Sequence, residues 1–271
     1  MSTAPTQPSR QLTIRQLEYP AGGQIRTATF YTIPQAAPRP AVIVQHGLFC
    51  DRQMPQIDAA CRALAESFDV VAPDLRGHGD APGWFTWGRR ESEDLLELAE
   101  FLGGLHPSVG IVGFSIGGFI AILAAARAAE WSADRGGPAA PAAVVTVGAP
   151  AHLEIWRYRI NPAGWLTHIP ILMRRRRWRF RPAWPALRWA RADEAVARVA
   201  PLPLLIVHGS VDWLVHVSHA RLIHERAGAP RELLILERGR HAEFILDQKE
   251  IDLIAPIKAF LGRHLEAARR R

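Results

Sequence analysis

Gly113-Phe114-Ser115-Ile116-Gly117-Gly118 decides the reading of this chain. The apolar run before it, Val109 to Phe114, has strand character, and the small-residue run after Ser115 has helix character. A serine between them sits on a sharp strand-to-helix turn that points its hydroxyl out of a sheet, while the flanking glycines let backbone approach backbone. The helix start adds N–H groups without an intrahelical acceptor and the positive end of the helix dipole. A serine hydroxyl is a weak nucleophile and needs a base in hydrogen-bond reach, itself oriented by a third group. Two later segments offer both, each just past a strand-like run: Asp212 in His208-Gly209-Ser210-Val211-Asp212, and His241 in Arg238-Gly239-Arg240-His241-Ala242-Glu243.

Outward from the serine, short apolar strands alternate with helices. Leu12 to Leu17 and Arg26 to Tyr31 read as strands joined by the Gly22-Gly23 turn. Ala41 to Val44, Asp69 to Ala72, Ala143 to Val147, Leu204 to Val207 and Glu232 to Leu236 read as further strands. Helices are predicted over Gln56 to Ser67, through Leu95, Leu98, Leu102 and Leu105, over Ser218 to Arg226, and from Glu250 to Glu266. Pro256 should kink that last helix or force a fresh start near Ala255. This alternation predicts an α/β fold: a mostly parallel sheet covered by helices on both faces. Ligands in such sheets bind at the carboxyl ends of strands. Ser115, Asp212 and His241 all lie there.

The composition excludes several classes. With 271 residues, 48% hydrophobic and 22% charged, the chain has the balance of a globular protein able to bury a full core. No run of eighteen apolar residues suggests a membrane span, and Met1 to Arg10 lacks the apolar stretch of a secretory signal. Cys50 and Cys61 do not make a disulfide framework, so a reduced, cytoplasmic protein is expected. The net charge of +7 is local: Ala151 to Arg191 holds ten arginines and one acid, Glu154, leaving 23 basic against 25 acidic residues elsewhere. A nucleic-acid binder would stripe its charge differently, and no partner of that kind is expected. No phosphate-loop or dinucleotide fingerprint is present, so no cofactor is expected. His216 and His219 share one helical turn without a clear third ligand, so no metal site is expected either.

Acyl transfer through a serine also needs two donors for the oxyanion. Ile116, directly after the nucleophile, supplies one backbone N–H. The loop His46-Gly47-Leu48-Phe49 after the Ala41 to Val44 strand supplies the other, with Leu48 the better candidate and Phe49 the second. His46 is expected to brace that loop rather than transfer protons, and Cys50 beside it to be a small buried residue. His46-Gly47, Asp74-Leu75-Arg76-Gly77-His78-Gly79, the turn at Ser115 and the Asp212 and His241 segments together resemble the α/β-hydrolase superfamily. The likeness is to serine-nucleophile, esterase- and lipase-like members with one inserted cap, whose acid and base follow the serine in this chain order. The resemblance spans about Ala41 to Leu261. It implies a cofactor-free hydrolase of an ester, thioester or related acyl bond. It gives Asp74 and Arg76 a role in shaping the loop beside the site. Phe85-Thr86-Trp87-Gly88 also resembles a loop of uncharacterised bacterial members, which implies kinship but no substrate. Haloalkane dehalogenases and epoxide hydrolases carry aspartate at the turn, where this chain has Ser115. Carbon–carbon bond hydrolases commonly carry Asn before the serine, where Phe114 stands. Perhydrolase-like esterases tend to carry Trp after His-Gly, where Leu48 stands.

The departure from the superfamily is residues 151–199, expected as a cap inserted into a core of 1–150 and 200–271. Five of nine tryptophans fall in it: Trp156, Trp165, Trp178, Trp184 and Trp189. Phe49, Phe114, Trp156 and Trp165 are the candidate substrate-binding residues. The cap arginines are candidates to receive an anionic head group or an anionic membrane surface, or else they solvate its outer face. A serine esterase for an amphiphilic substrate is the reading. The alternative is a non-catalytic binding protein that uses the basic cap to hold an anionic partner. The oligomeric state is not legible.

Overall fold

The computed structural model describes residues 11–135, 141–154, 180–184 and 190–269. Eight strands form one sheet: β1 Thr13–Ala21, β2 Gln24–Thr32, β3 Ala41–Gln45, β4 Asp69–Pro73, β5 Val109–Phe114, β6 Ala143–Val147, β7 Leu204–Gly209 and β8 Arg231–Leu236. Their spatial order is β1-β2-β4-β3-β5-β6-β7-β8. β1 and β2 form an antiparallel hairpin, β2 pairs antiparallel with β4, and the six strands from β4 to β8 run parallel. Helices α1 Pro55–Ala65, α2 Arg89–Gly103, α3 Ile116–Ala125, α4 Ala128–Arg135, α5 Ala192–Ala195, α6 Ser218–Arg226 and α7 Ile254–Arg269 connect and cover them.

The two-residue period of the parallel strands sorts their side chains into two apolar layers. Ile43, Val71, Ile111, Val144 and Ile206 meet α2, α3 and α6 on one face. Val42, Val44, Val70, Val112, Val145 and Val207 meet α1 and α7 on the other. Covered on both faces, β3 to β7 are buried throughout. α3 is apolar around nearly its whole circumference because it is a core helix. Among the described residues no single helix is long and apolar enough to cross a membrane.

The predicted elements are present with small shifts. Leu105 does not belong to α2: the helix ends at Gly103-Gly104, and Leu105 is exposed. Of the two outcomes expected at Pro256, the fresh start is the one found: α7 begins at Ile254 and is not kinked there, because Pro256 stands in the first turn, where a backbone N–H has no helical acceptor to lose. The expected insertion 151–199 returns to the core at both ends. Ala151 is buried, and Ala192, Ala195, Val196 and Val199 pack in the layer of α3 and α6. Trp156, Trp165, Trp178, Trp189 and Arg174 to Arg177 lie outside the described residues.

β3 lies between β4 and β5 although it precedes both in the chain. The chain therefore departs in opposite directions from the carboxyl ends of β3 and β5, which opens a crevice there. The β3 loop and the turn at Ser115 face each other across it.

Candidate active site

Ser115 alone makes the turn between β5 and α3, with φ 51° and ψ −121°. This is a sparsely populated conformation for a side-chain-bearing residue, costing about 1–3 kcal/mol, and the surrounding bonds hold it. Its N–H donates to Val147 O at 2.8 Å, and its C=O accepts from Gly118 N–H at 3.0 Å and Phe119 N–H at 3.2 Å. Glycine at position 117 is required by the crevice: a Cβ there would stand 2.5 Å from Gln45 O and 2.6 Å from His46 O. The turn is thus seated directly on the end of β3.

Asp212 and His241 come from the loops after β7 and β8. Gly209 brings those loops together, since a Cβ on it would lie 2.1 Å from Gly239 O. Asp212 Oδ1 accepts from Leu214 N–H at 2.9 Å and Val215 N–H at 2.8 Å. Its Oδ2 is 2.8 Å from His241 Nδ1, and His241 Nε2 is 2.8 Å from Ser115 Oγ. A carboxylate only accepts, so Nδ1 carries the imidazole proton and Nε2 offers its lone pair to the serine O–H. The structure therefore brings the three sequence-predicted residues into one hydrogen-bonded line.

The electrostatics follow from that line. Burial pushes the Asp212 carboxyl up, but the attraction of His241 and the hydrogen bonds from His208 and His241 outweigh it and hold the acid well below the usual carboxylate range. Burial pushes His241 down, while the charge and hydrogen bond of Asp212, with a contribution from Glu243, bring it above its ordinary value.

The β3 loop is braced as expected. Leu75 N–H donates to His46 Nε2 at 3.0 Å, so Nδ1 bears the proton and donates to Gly47 O at 2.8 Å. That carbonyl belongs to the same peptide unit as the Leu48 N–H. Cys50 N–H reaches the same carbonyl at 3.3 Å. Leu48 and Phe49 are half-buried, and Phe49 takes φ 62°. Asp74 shapes the neighbouring loop by accepting from Arg52 N–H at 2.8 Å and Asp80 N–H at 3.0 Å. Arg76 instead pairs with Asp94, which also holds Arg26.

Phe114 is a correction. It was expected at the substrate, but it is fully buried in the layer with Val112, Val147, Val207 and Ile245. Strand alternation continues up to the turn, so the residue before the serine points beneath the sheet end and not into the crevice. Phe49 does reach an aromatic group at the loop edge: its ring meets Phe180 edge-on at 4.8 Å. Phe180 also lies 4.8 Å from His78 and 5.7 Å from Phe85. Burial and the neighbouring His46 hold His78 well below its ordinary value, so it serves here as a neutral packing group.

Three further residues stand at the site. Glu243 is buried, accepts from Cys50 Sγ at 3.2 Å, and lies against Gly47. Its signal was its place two residues after His241. His208 lies behind Asp212, at 3.2 Å from Oδ2. Phe180 carries no signal beyond its place in the segment 151–199. Of the histidines set aside, His219 accepts from Ala151 N–H at 3.0 Å and His216 faces Ser218 Oγ at 2.9 Å.

A parallel sheet flanked on both faces, with a serine at the strand–helix turn and an aspartate–histidine pair on later loops, defines a hydrolase of the nucleophile-turn type. The chain belongs to the alpha/beta hydrolase family, whose model matches residues 41–255. Among curated proteins it is similar to a soluble epoxide hydrolase of Corynebacterium sp. (strain C12), with 44% identity over 61 residues. That stretch is 22% of this chain and 21% of the relative, so the match spans about a fifth of that protein's length. Among solved structures it is similar to the esterase Pf2001 of Pyrococcus furiosus, with 19% identity and a TM-score of 0.68 over 94% of this chain and 93% of that one. It is also similar to Est1E of Butyrivibrio proteoclasticus, solved with ferulic acid bound, with 17% identity and a TM-score of 0.64 over 92% and 99%. At these identities the two structures speak for the fold.

Proposed function

We propose that this protein is a serine hydrolase that cleaves a carboxylic ester or thioester through an acyl-enzyme on Ser115. The observation that carries the reading is the continuous line Ser115 Oγ, His241 Nε2, His241 Nδ1, Asp212 Oδ2, with 2.8 Å at both hydrogen bonds. His241 takes the serine proton as Oγ attacks the carbonyl carbon. Asp212 stabilises the imidazolium, which then protonates the departing alcohol or thiol. The oxyanion is received by the backbone N–H groups of Ile116 and Leu48. His46 supports the second of these by donating to the carbonyl of the same peptide unit, which polarises it. Water then attacks the acyl-enzyme with His241 again as base, and Ser115 is released.

The epoxide hydrolase chemistry of the curated relative is not carried over, because the residue at the turn here is serine and not aspartate. The substrate side rests on the segment 151–199. Its five tryptophans and its local excess of arginine favour an amphiphilic ester, with an apolar acyl chain and a polar or anionic head. The same charge supports peripheral contact with an anionic membrane surface. A second reading, a binding protein without turnover, has the basic segment in its favour and leaves the aligned triad without a use.

Labelling with an alkyl fluorophosphonate separates the two readings. The esterase reading expects one label per chain, on Ser115, and none in Ser115→Ala. A folded wild-type protein that takes no label contradicts it. A chain-length series of chromogenic esters beside the matching acyl thioesters then ranks acyl chain and leaving group.

A further inference from the structure

The acid of the proposed triad is contacted by a second histidine that the reaction itself does not use. His208, near the end of β7, is fully buried. Its Nε2 lies 2.8 Å from Val215 O and 3.2 Å from Asp212 Oδ2. Both neighbours are acceptors, so Nε2 carries the hydrogen and shares it between them. Val215 closes the arrangement, because its own N–H donates to Asp212 Oδ1 at 2.8 Å. The carboxylate is therefore surrounded by four donors: two backbone N–H groups on Oδ1, and His241 and His208 on Oδ2. His208 Nδ1 is buried with no hydrogen-bond partner among the described residues. A position that only needed filling would take an aliphatic side chain and avoid desolvating that nitrogen. The imidazole is kept for what Nε2 does.

We infer that His208 is a positioning residue for the reaction: a fixed N–H donor that clamps the Asp212 carboxylate to the Val215 turn and aims Oδ2 at His241. The inference rests on the triad reading above. It has two consequences. Without the clamp the carboxylate gains freedom to rotate, and His241 loses its alignment on Ser115. Without the second donor, Oδ2 keeps more electron density, so the Asp212–His241 pair binds its proton more tightly. The charged and titratable groups facing His241 are Asp212 and Glu243, with Ser115 at Nε2; those facing Asp212 are His241 and His208.

The test compares His208→Leu, which removes the donor, with His208→Gln, whose amide N–H falls near the place of Nε2–H. For a chromogenic ester, His208→Leu should lower kcat about tenfold, the worth of one hydrogen bond to a charged group. KM should hardly change, and the midpoint of the pH–rate profile should move up. His208→Gln should restore most of kcat and return the midpoint. Wild-type kcat and midpoint in His208→Leu would overturn the inference. So would a fall in kcat with the midpoint unmoved and glutamine no better than leucine, which is the pattern of a packing role. If His208→Leu does not fold, as judged by thermal melting, His208→Asn takes its place, since asparagine puts its N–H near Nδ1. Equal activity in the Asn and Gln variants would then overturn the inference. Ser115→Ala run alongside keeps two failures apart: turnover that persists there sinks the triad, not merely the clamp.

Discussion

Ser115, Asp212 and His241 follow the carboxyl ends of β5, β7 and β8, strands paired in parallel register with their neighbours, with β5 and β7 buried and β8 the half-exposed edge. The described part of the segment between β6 and β7 reaches the same edge of the sheet differently. Arg181 N–H donates to Gly77 O, while Arg181 O and Ala183 N–H bond the backbone of Phe85, each at 2.8 Å. Trp87 Nε1 adds a bond to Ala183 O at 3.1 Å, and Phe180 fills the space between Phe49, His78 and Phe85. The first region takes its geometry from the core. The second takes its geometry from contacts with other loops, among them Phe49, next to a proposed oxyanion donor. On the proposed function, chemistry and substrate choice are separable: a change in the first region should end turnover, and a change in the second should redirect it.

The largest effect is expected in the first region. Ser115→Ala and His241→Ala should each lower kcat by at least about 10³-fold, and the double variant should cost little more, because the residues act as one unit. Their thermal stability should stay near that of wild type. A double variant whose loss equals the product of the single losses would break the claim that one geometry holds them.

The pH dependence sharpens the same region. Only neutral His241 accepts the serine proton, so kcat/KM should fall about tenfold per unit on the acid side of its midpoint. Asp212 raises the His241 value, so that midpoint should lie above histidine's ordinary 6.5. Asp212→Asn removes the charge and should lower the midpoint of whatever activity is left. A midpoint that stays put would separate Asp212 from the imidazole.

In the second region the effects are smaller and selective. Phe180→Ala removes the ring contact to Phe49, worth about 0.5–1.5 kcal/mol for an aromatic pair. The specificity constant for long-chain esters should drop roughly threefold to tenfold, with acetyl esters nearly unaffected. An equal loss on both would place Phe180 in the catalytic geometry and erase the distinction between the regions. The smallest effect belongs to Arg174, Arg175, Arg176 and Arg177. Changing all four to glutamine should weaken binding to anionic vesicles, and only at low salt, since exposed charge is screened over about 8–10 Å at physiological ionic strength. Unaltered vesicle binding would return those arginines to a solvated face.

The difference between the regions also governed what could be read in advance. The turn at Ser115 imposes steric demands that only glycine meets, at Gly117 against Gln45 and His46, so the demand is written in residue type. Asp212 and His241 were legible because apolar strands end just before them. Phe114 was misplaced because its nearness to Ser115 in the chain was read as nearness in space, although alternation with Val112 already points it into the lower layer. His208 stands four residues before Asp212 in the sequence, with nothing in residue type to mark it. Its contact requires the chain to fold back between residues 209 and 215, and no residue pattern announces that turn. The segment 151–199 is legible only as composition. Tryptophan and arginine are compatible with a pocket lining and equally with an outer face, and neither imposes a spacing.

The central claim is that Ser115 becomes acylated while His241 holds its proton. Rapid mixing of the wild-type protein with a chromogenic ester, followed by acid quench and peptide mass mapping, tests it directly. The account predicts a burst of alcohol release approaching one equivalent when deacylation is the slow step, with the acyl mass on the peptide that carries Ser115. Both signals should vanish in Ser115→Ala. An acyl group on another residue such as Cys50, or steady turnover by Ser115→Ala, would contradict it.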